Sequence, residues 1–237
     1  MDEWRTLLYP LGFLSSLAFG ARFMIQWWQS EKVQRTVVPR SFWQLSLMGN
    51  LWLMLHSFIQ MQYHVCLAQA CNAIISWRNL NLMQTSRPAI SFKAVCYLFI
   101  ASILLISIAF AAQDWWLMNE GNWFRIPTAP WQVASAPSAS LFWHALGTLA
   151  YLLFSSRFWL QWWFTEKAHT SQLPLAFWWF SLIGALLSIA YFLRIHDSVN
   201  LIGPLLGIIP YIRNLMLSSK RTKNWPVNEP KNLSSQD

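Results

Sequence analysis

Residues 22–32 read RFMIQWWQSEK and residues 157–167 read RFWLQWWFTEK, and the offset between them, 135 residues, aligns the chain with itself without a gap. Pro39, Phe42, Trp43, Ser46, Leu47 and Gly49 fall on Pro174, Phe177, Trp178, Ser181, Leu182 and Gly184, and Arg78, Asn79 and Leu80 fall on Arg213, Asn214 and Leu215. A register held over this distance is an internal duplication, and it decides the fold before any single helix does. Outward from the two strings, the first copy holds apolar stretches at 6–28, 42–61 and 63–81, and the second at 140–163, 173–193 and 198–217. A seventh stretch, 90–112, has no counterpart and lies between the copies. Each is close to the ~20 apolar residues that cross a hydrocarbon core of ~30 Å, although Gln69 and Asn72 interrupt the third. One span inserted between two three-span units leaves both pointing the same way, as parallel repeats about an axis along the membrane normal. The expected fold is all-α, a polytopic membrane protein with seven transmembrane helices in a 3-1-3 order. Its expected domains are 1–83 (first three-helix repeat), 84–139 (linker helix and periplasmic loop), 140–218 (second three-helix repeat) and 219–237 (cytoplasmic tail). Residues 113–138, with Asp114, Gly121, Pro127, Pro130 and Pro137, are read as the loop. The apolar N-terminal stretch is read as a span and not a cleaved leader, because Asp2 and Glu3 stand where a leader is basic.

Composition points the same way. Of 237 residues, 55% are hydrophobic and only 11% charged, with 17 Trp and a mean hydropathy of +0.32, more apolar surface than one water-soluble core buries. The net charge of +8 follows topology and not nucleic acid. With the N-terminus outside, twelve basic residues fall inside, among them Lys32, Arg35, Arg40, Arg78 and Arg87, against Arg5, Arg125 and Arg194 outside, with Arg22 and Arg157 left within spans. That bias obeys the positive-inside rule and places the C-terminus in the cytoplasm. Cys66, Cys71 and Cys96 lie in apolar stretches with no C-x-x-C, the five histidines show no metal-ligand spacing, and no phosphate loop or nucleophile elbow occurs. No cofactor or metal is expected, and no catalytic residue stands out.

Arg22 and Arg157, with Gln26 and Gln161 one turn further on the same helix faces, are the candidate lipid- or phosphate-binding residues. A charge within a span usually faces the protein interior or a polar cavity, and the arginine fork suits phosphate oxygens. The competing reading is that each arginine snorkels to headgroups or pairs with Glu31 or Glu166. Asn72, Arg78, Asn79, Asn200, Arg213 and Asn214 are candidates for a polar pocket, with helix capping the alternative for Arg78-Asn79 and Arg213-Asn214. Glu31-Lys32 and Glu166-Lys167 read as structural ion pairs. Trp27, Trp28, Trp43, Trp162, Trp163, Trp178 and Trp179 read as an interfacial belt, and Gly12, Gly20, Gly49, Gly147, Gly184, Gly203 and Gly207 as points of close helix contact.

The string R-F-x-x-Q-W-W-x-[ST]-E-K, followed by Pro39, Phe42-Trp43, Ser46-Leu47-x-Gly49 and Arg78-Asn79-Leu80, and repeated from Arg157 to Leu215, resembles the lipid A biosynthesis N-terminal domain family. The duplicated form is similar to the membrane part that precedes the glycosyltransferase in chlamydial lipid-A-disaccharide synthases. The resemblance implies a place in lipopolysaccharide synthesis in a Gram-negative inner membrane and a fold similar to SWEET and PQ-loop transporters, although no Pro-Gln dipeptide occurs here. It implies a membrane module that binds, presents or translocates a glycolipid or carrier lipid, with a cytoplasmic glycosyltransferase as a possible partner. The alternative is a passive anchor for that enzyme. The transferase domain itself is not among these 237 residues.

Overall fold

A computed structural model describes residues 3–84, 88–117, 122–124, 140–194 and 198–223. They form α1 (Glu3–Leu8), α2 (Leu11–Val33), α3 (Arg40–Ile59), α4 (Tyr63–Leu82), α5 (Phe92–Leu117), α6 (Leu141–Ala168), α7 (Leu175–Arg194) and α8 (Ser198–Lys223). Tyr9-Pro10 separates α1 from α2. Each helix of a repeat packs on the next, α2 on α3 on α4 and α6 on α7 on α8, while α2 meets α8 and α4 meets α6 across the repeats. The first helix of each repeat thus packs on the third of the other, the exchange a two-fold axis produces.

Among the described residues four stretches are long and apolar enough to cross a membrane: Trp4–Val33, Phe92–Leu117, Leu175–Arg194 and Leu201–Ser219. The helices α3, α4 and α6 have the length, but their windows are diluted by polar residues that turn inward. Ser46, Asn50 and Ser57 on α3, Ser76, Arg78 and Asn79 on α4, and Arg157 and Gln161 on α6 are all buried. Low hydropathy here marks helices whose polar faces meet each other.

The outlying α5 packs on α4. At its start Phe92 stacks on Trp162 at 5.5 Å. At its far end Phe110 packs edge-on against Tyr63 at 5.3 Å, beside the α3–α4 turn, where Tyr63 N–H donates to Trp123 O at 2.9 Å. It therefore runs the full height of the bundle. Residues 113–117, read from sequence as loop, extend α5 instead, since Gln113 to Leu117 contain no breaker and the first glycine is Gly121.

The duplication reaches backbone detail. Both α2 and α6 end on a left-handed residue, Gln34 (φ 51°) and His169 (φ 51°), one register apart. Gly49 and Gly184 serve close approach: a β-carbon on them would stand 2.5 Å from the Phe19 ring and 2.9 Å from the Phe154 ring.

Candidate functional site

Above the crossing of the repeats lies a cavity of about 770 Å³, lined by residues from both halves. One stripe of α2, Gly12, Ser15, Phe19 and Arg22, follows helical spacing down its wall, and Gly147, Ala150, Phe154 and Arg157 repeat it on α6. Gln62 and His64 line it toward the α3–α4 turn.

The two arginines share its floor and are each 3% exposed. Arg22 Nη1 donates to Ser46 Oγ at 2.9 Å and Arg157 Nη1 to Ser181 Oγ at 3.3 Å, and each serine passes its own proton to the carbonyl four residues back, Phe42 O and Phe177 O, at 2.6 Å. Arg157 Nη1 also donates to the Tyr211 hydroxyl at 3.1 Å. Aromatic faces complete each cage: Phe19, Phe23, Phe42 and Phe158 lie within 5.5 Å of the Arg22 guanidinium, and Phe154 comes to 3.8 Å of that of Arg157. Phe23 and Phe158 touch both guanidiniums, so the two cations are neighbours. The Nε of each is buried without a hydrogen-bond partner, and among the described residues no aspartate or glutamate lines the cavity. Neither arginine reaches the glutamates that sequence offered as alternatives.

One turn below, the glutamines do something different from the arginines. Gln26 and Asn214 exchange amide hydrogen bonds (Nε2 to Oδ1 2.9 Å, Nδ2 to Oε1 3.0 Å), and Gln161 and Asn79 repeat the exchange at 2.8 and 3.2 Å. Gln26 Nε2 also reaches Ser30 Oγ and Val37 O, and Gln161 Nε2 reaches Thr165 Oγ1 and Gln172 O, which ties the loops after α2 and α6 into the same plug. Outside the amides stand two ion pairs. Arg78 binds Glu166 through Nε at 2.6 Å and Nη2 at 2.8 Å, and Arg213 binds Glu31 through Nε and Nη2. Burial by itself would raise the Glu166 carboxyl, but hydrogen bonds from Arg78 and Trp162 more than offset it and leave it below the usual carboxylate range. Four cross-repeat contacts therefore close the end of the bundle beneath the arginines.

Of the sequence candidates, Arg22 and Arg157 meet at the cavity floor and Asn72 lines its wall. Gln26, Gln161, Arg78, Asn79, Arg213 and Asn214 form the plug, and the side chain of Asn200 lies outside the described residues. Three readings change. Glu31 pairs with Arg213 and not with Lys32, because adjacent residues on a helix do not face each other; Lys32 lies over the Trp28 ring at 3.6 Å instead. Arg78 and Arg213 reach across to the other repeat and do not cap their own helices. Trp43 and Trp178 are fully buried and belong to no belt, since they sit on the inward face of α3 and α7 beside Phe42 and Phe177. Ser46 and Ser181, read only as matching positions of the repeat, and Phe19 and Phe154, not singled out at all, also belong to the site; identity across the offset is the signal that marks them. Among the described residues no group of three His, Cys, Asp or Glu could hold a metal.

The family described as lipid A biosynthesis N-terminal domain matches residues 11–81 and again 146–216. The chain is similar to lipid-A-disaccharide synthase of Chlamydia pneumoniae, 41% identical over 220 residues, covering 93% of this chain and 35% of that protein. It is similar to the synthases of Chlamydia felis and Chlamydia trachomatis serovar D at 34% identity, again covering 92% of this chain. It thus spans about a third of the length of the relatives it matches. No solved structure matches it.

Proposed function

The chain belongs to the lipid A biosynthesis N-terminal domain family, in two copies, and from that premise we propose that it is a membrane module of lipid A synthesis that binds the phosphate of a glycolipid or carrier lipid between its repeats. The single observation that supports this is the pair of buried arginines at the floor of a cavity whose described lining carries no carboxylate. Two cations removed from water with no counter-ion among the described residues carry a desolvation cost of several kcal/mol each. Phosphate answers it, since it brings negative charge and acceptors for the orphaned Nε groups. The aromatic cages and serine hydroxyls stabilise the guanidiniums in the meantime, but neither supplies charge. A module of this kind presents its lipid to a glycosyltransferase or passes it between leaflets. The arrangement in the membrane is the seven-span, 3-1-3 order in a bacterial inner membrane, with the plug on the cytoplasmic side, supported by the basic residues at that end and by α5 running the height of the bundle.

A passive anchor for a cytoplasmic synthase needs no such cavity; a dry bundle serves it. Lipids extracted from the purified full chain and identified by mass spectrometry decide between the two. Phosphate-bearing glycolipid or carrier lipid retained by the parent and lost from the Arg22→Gln, Arg157→Gln protein is the expected result. Bulk phospholipid alone, in the same amount from both proteins, would sink the binding role.

A further inference from the structure

The two cavity walls agree where they face the arginines and disagree above them. Gly12, Phe19, Arg22 and Phe23 recur as Gly147, Phe154, Arg157 and Phe158, whereas Asn50, His56, Gln69 and Asn72 become Ala185, Tyr191, Pro204 and Gly207. Among the described residues, every carboxamide that lines the cavity comes from the first repeat: Asn50, Gln62, Gln69 and Asn72. Two of the atoms on that wall lack partners. Gln69 Oε1 and His56 Nδ1 are buried with no hydrogen bond, although His56 is 7% exposed and its ring is held 3.1 Å from where a β-carbon on Gly12 would stand. An unpaired buried polar atom is costly, so in the working state Gln69 Oε1 needs a donor and His56 Nδ1 a hydrogen-bond partner.

We propose that the first-repeat wall, through Gln69, His56 and Asn72, is a subsite for a hydroxyl-bearing sugar attached to the phosphate that the arginines hold. This rests on the phosphate reading above and narrows its ligand to a glycosyl phosphate held in one orientation. A hydroxyl donates to Gln69 Oε1 and serves His56 Nδ1 in either tautomer, which an alkyl chain cannot do. The volume is of the size that takes a drug-sized molecule, far more than a bare phosphate requires. Among the described residues the second-repeat wall presents hydroxyls, such as Thr148, Ser188 and Tyr191, and no carboxamide, and this asymmetry fixes which way the sugar faces. The same chemistry exists as a lipid headgroup and as a free sugar phosphate.

The test measures binding of dodecyl glucosyl phosphate and dodecyl methyl phosphate, equal in charge and tail, to the full chain in detergent, with free glucose 1-phosphate as competitor. The parent should prefer the glucosyl ligand by about tenfold or more, the loss expected when one buried hydrogen-bonding group goes unanswered. Gln69→Leu should erase that preference and leave dodecyl methyl phosphate unchanged; Asn72→Ala serves if the first variant does not fold. Competition by glucose 1-phosphate at its own concentration range assigns a soluble sugar phosphate, and its absence assigns a lipid headgroup. Equal binding of both dodecyl ligands by the parent, or a parallel loss of both in Gln69→Leu, overturns the subsite. Failure of the underlying phosphate reading looks different: neither ligand binds, or Arg22→Gln leaves dodecyl methyl phosphate binding intact.

Discussion

Arg22 and Arg157 differ from Arg78 and Arg213 in what surrounds them, aromatic rings and a serine in place of a carboxylate. Lysine at either position keeps the charge and loses the fork, so Arg22→Lys or Arg157→Lys should reduce retained phosphate-bearing lipid by about tenfold, read by mass spectrometry of the purified protein. A snorkelling arginine would give no change. The glutamines answer to a different measurement. Gln26→Leu leaves Asn214 Oδ1 without its donor in a fully buried position, which should destabilise the protein by about 1–3 kcal/mol, seen as a lower melting temperature in detergent. The sequence placed all four residues on two helix faces, which the 3.6 periodicity permits. It could not separate the arginine role from the glutamine role, because that depends on which residues of the other repeat lie opposite.

At the scale of the helix, the tightest approach is α2 against α3 at Gly49. Alanine there displaces the Phe19 ring, which is both cavity wall and cover for Arg22. Gly49→Ala should therefore impair lipid retention along with stability. Gly20→Ala meets nothing within 4 Å and should be neutral or stabilising by up to ~1 kcal/mol, a contrast readable in paired melting curves. The two ion pairs that join helices of different repeats are equivalent in register but not in environment. Arg78–Glu166 is 3% and 11% exposed, while Arg213–Glu31 is 28% and 27% exposed. Breaking the buried pair with Glu166→Gln leaves an uncompensated cation and should cost about 3–5 kcal/mol; Glu31→Gln should cost visibly less because water screens it. The reversed pair Glu166→Arg with Arg78→Glu should recover part of what either change loses alone. The order of the long helices was legible because apolar runs and the offset mark them, whereas the break at Tyr9-Pro10 that sets α1 apart from α2 was not. The partners of Glu31 and Arg78 were not, since an ion pair between residues 88 or 182 apart leaves no local trace.

For the whole molecule, the arrangement in the membrane turns on α5. Among the described long helices it is the one without a counterpart, and it carries the chain from the plug end to the α3–α4 end. Single cysteines introduced in 122–138 and in 33–40 should label from opposite sides of intact inner-membrane vesicles, the first from the periplasmic face. Labelling of both from one face would remove the seven-span topology. The inward-turned polar residues explain why hydropathy alone finds four spans where the repeat calls for seven.

The crossed contacts at the plug have a consequence for ancestry. Each repeat carries both halves of the lock, Gln26 and Glu31 on its first helix and Arg78 and Asn79 on its third, with Gln161, Glu166, Arg213 and Asn214 the second set. A surface whose two halves fit each other after a half-turn is the surface of a homodimer, and a polypeptide of one repeat would close on its own copy through the same four contacts. In the proposed 3-1-3 order, joining two such copies in one chain with matched orientation requires an odd helix between them, the place that α5 takes. Fusion then releases what a homodimer forbids: one wall can change while the other stays, as His56 and Tyr191 have done on their equivalent glycines.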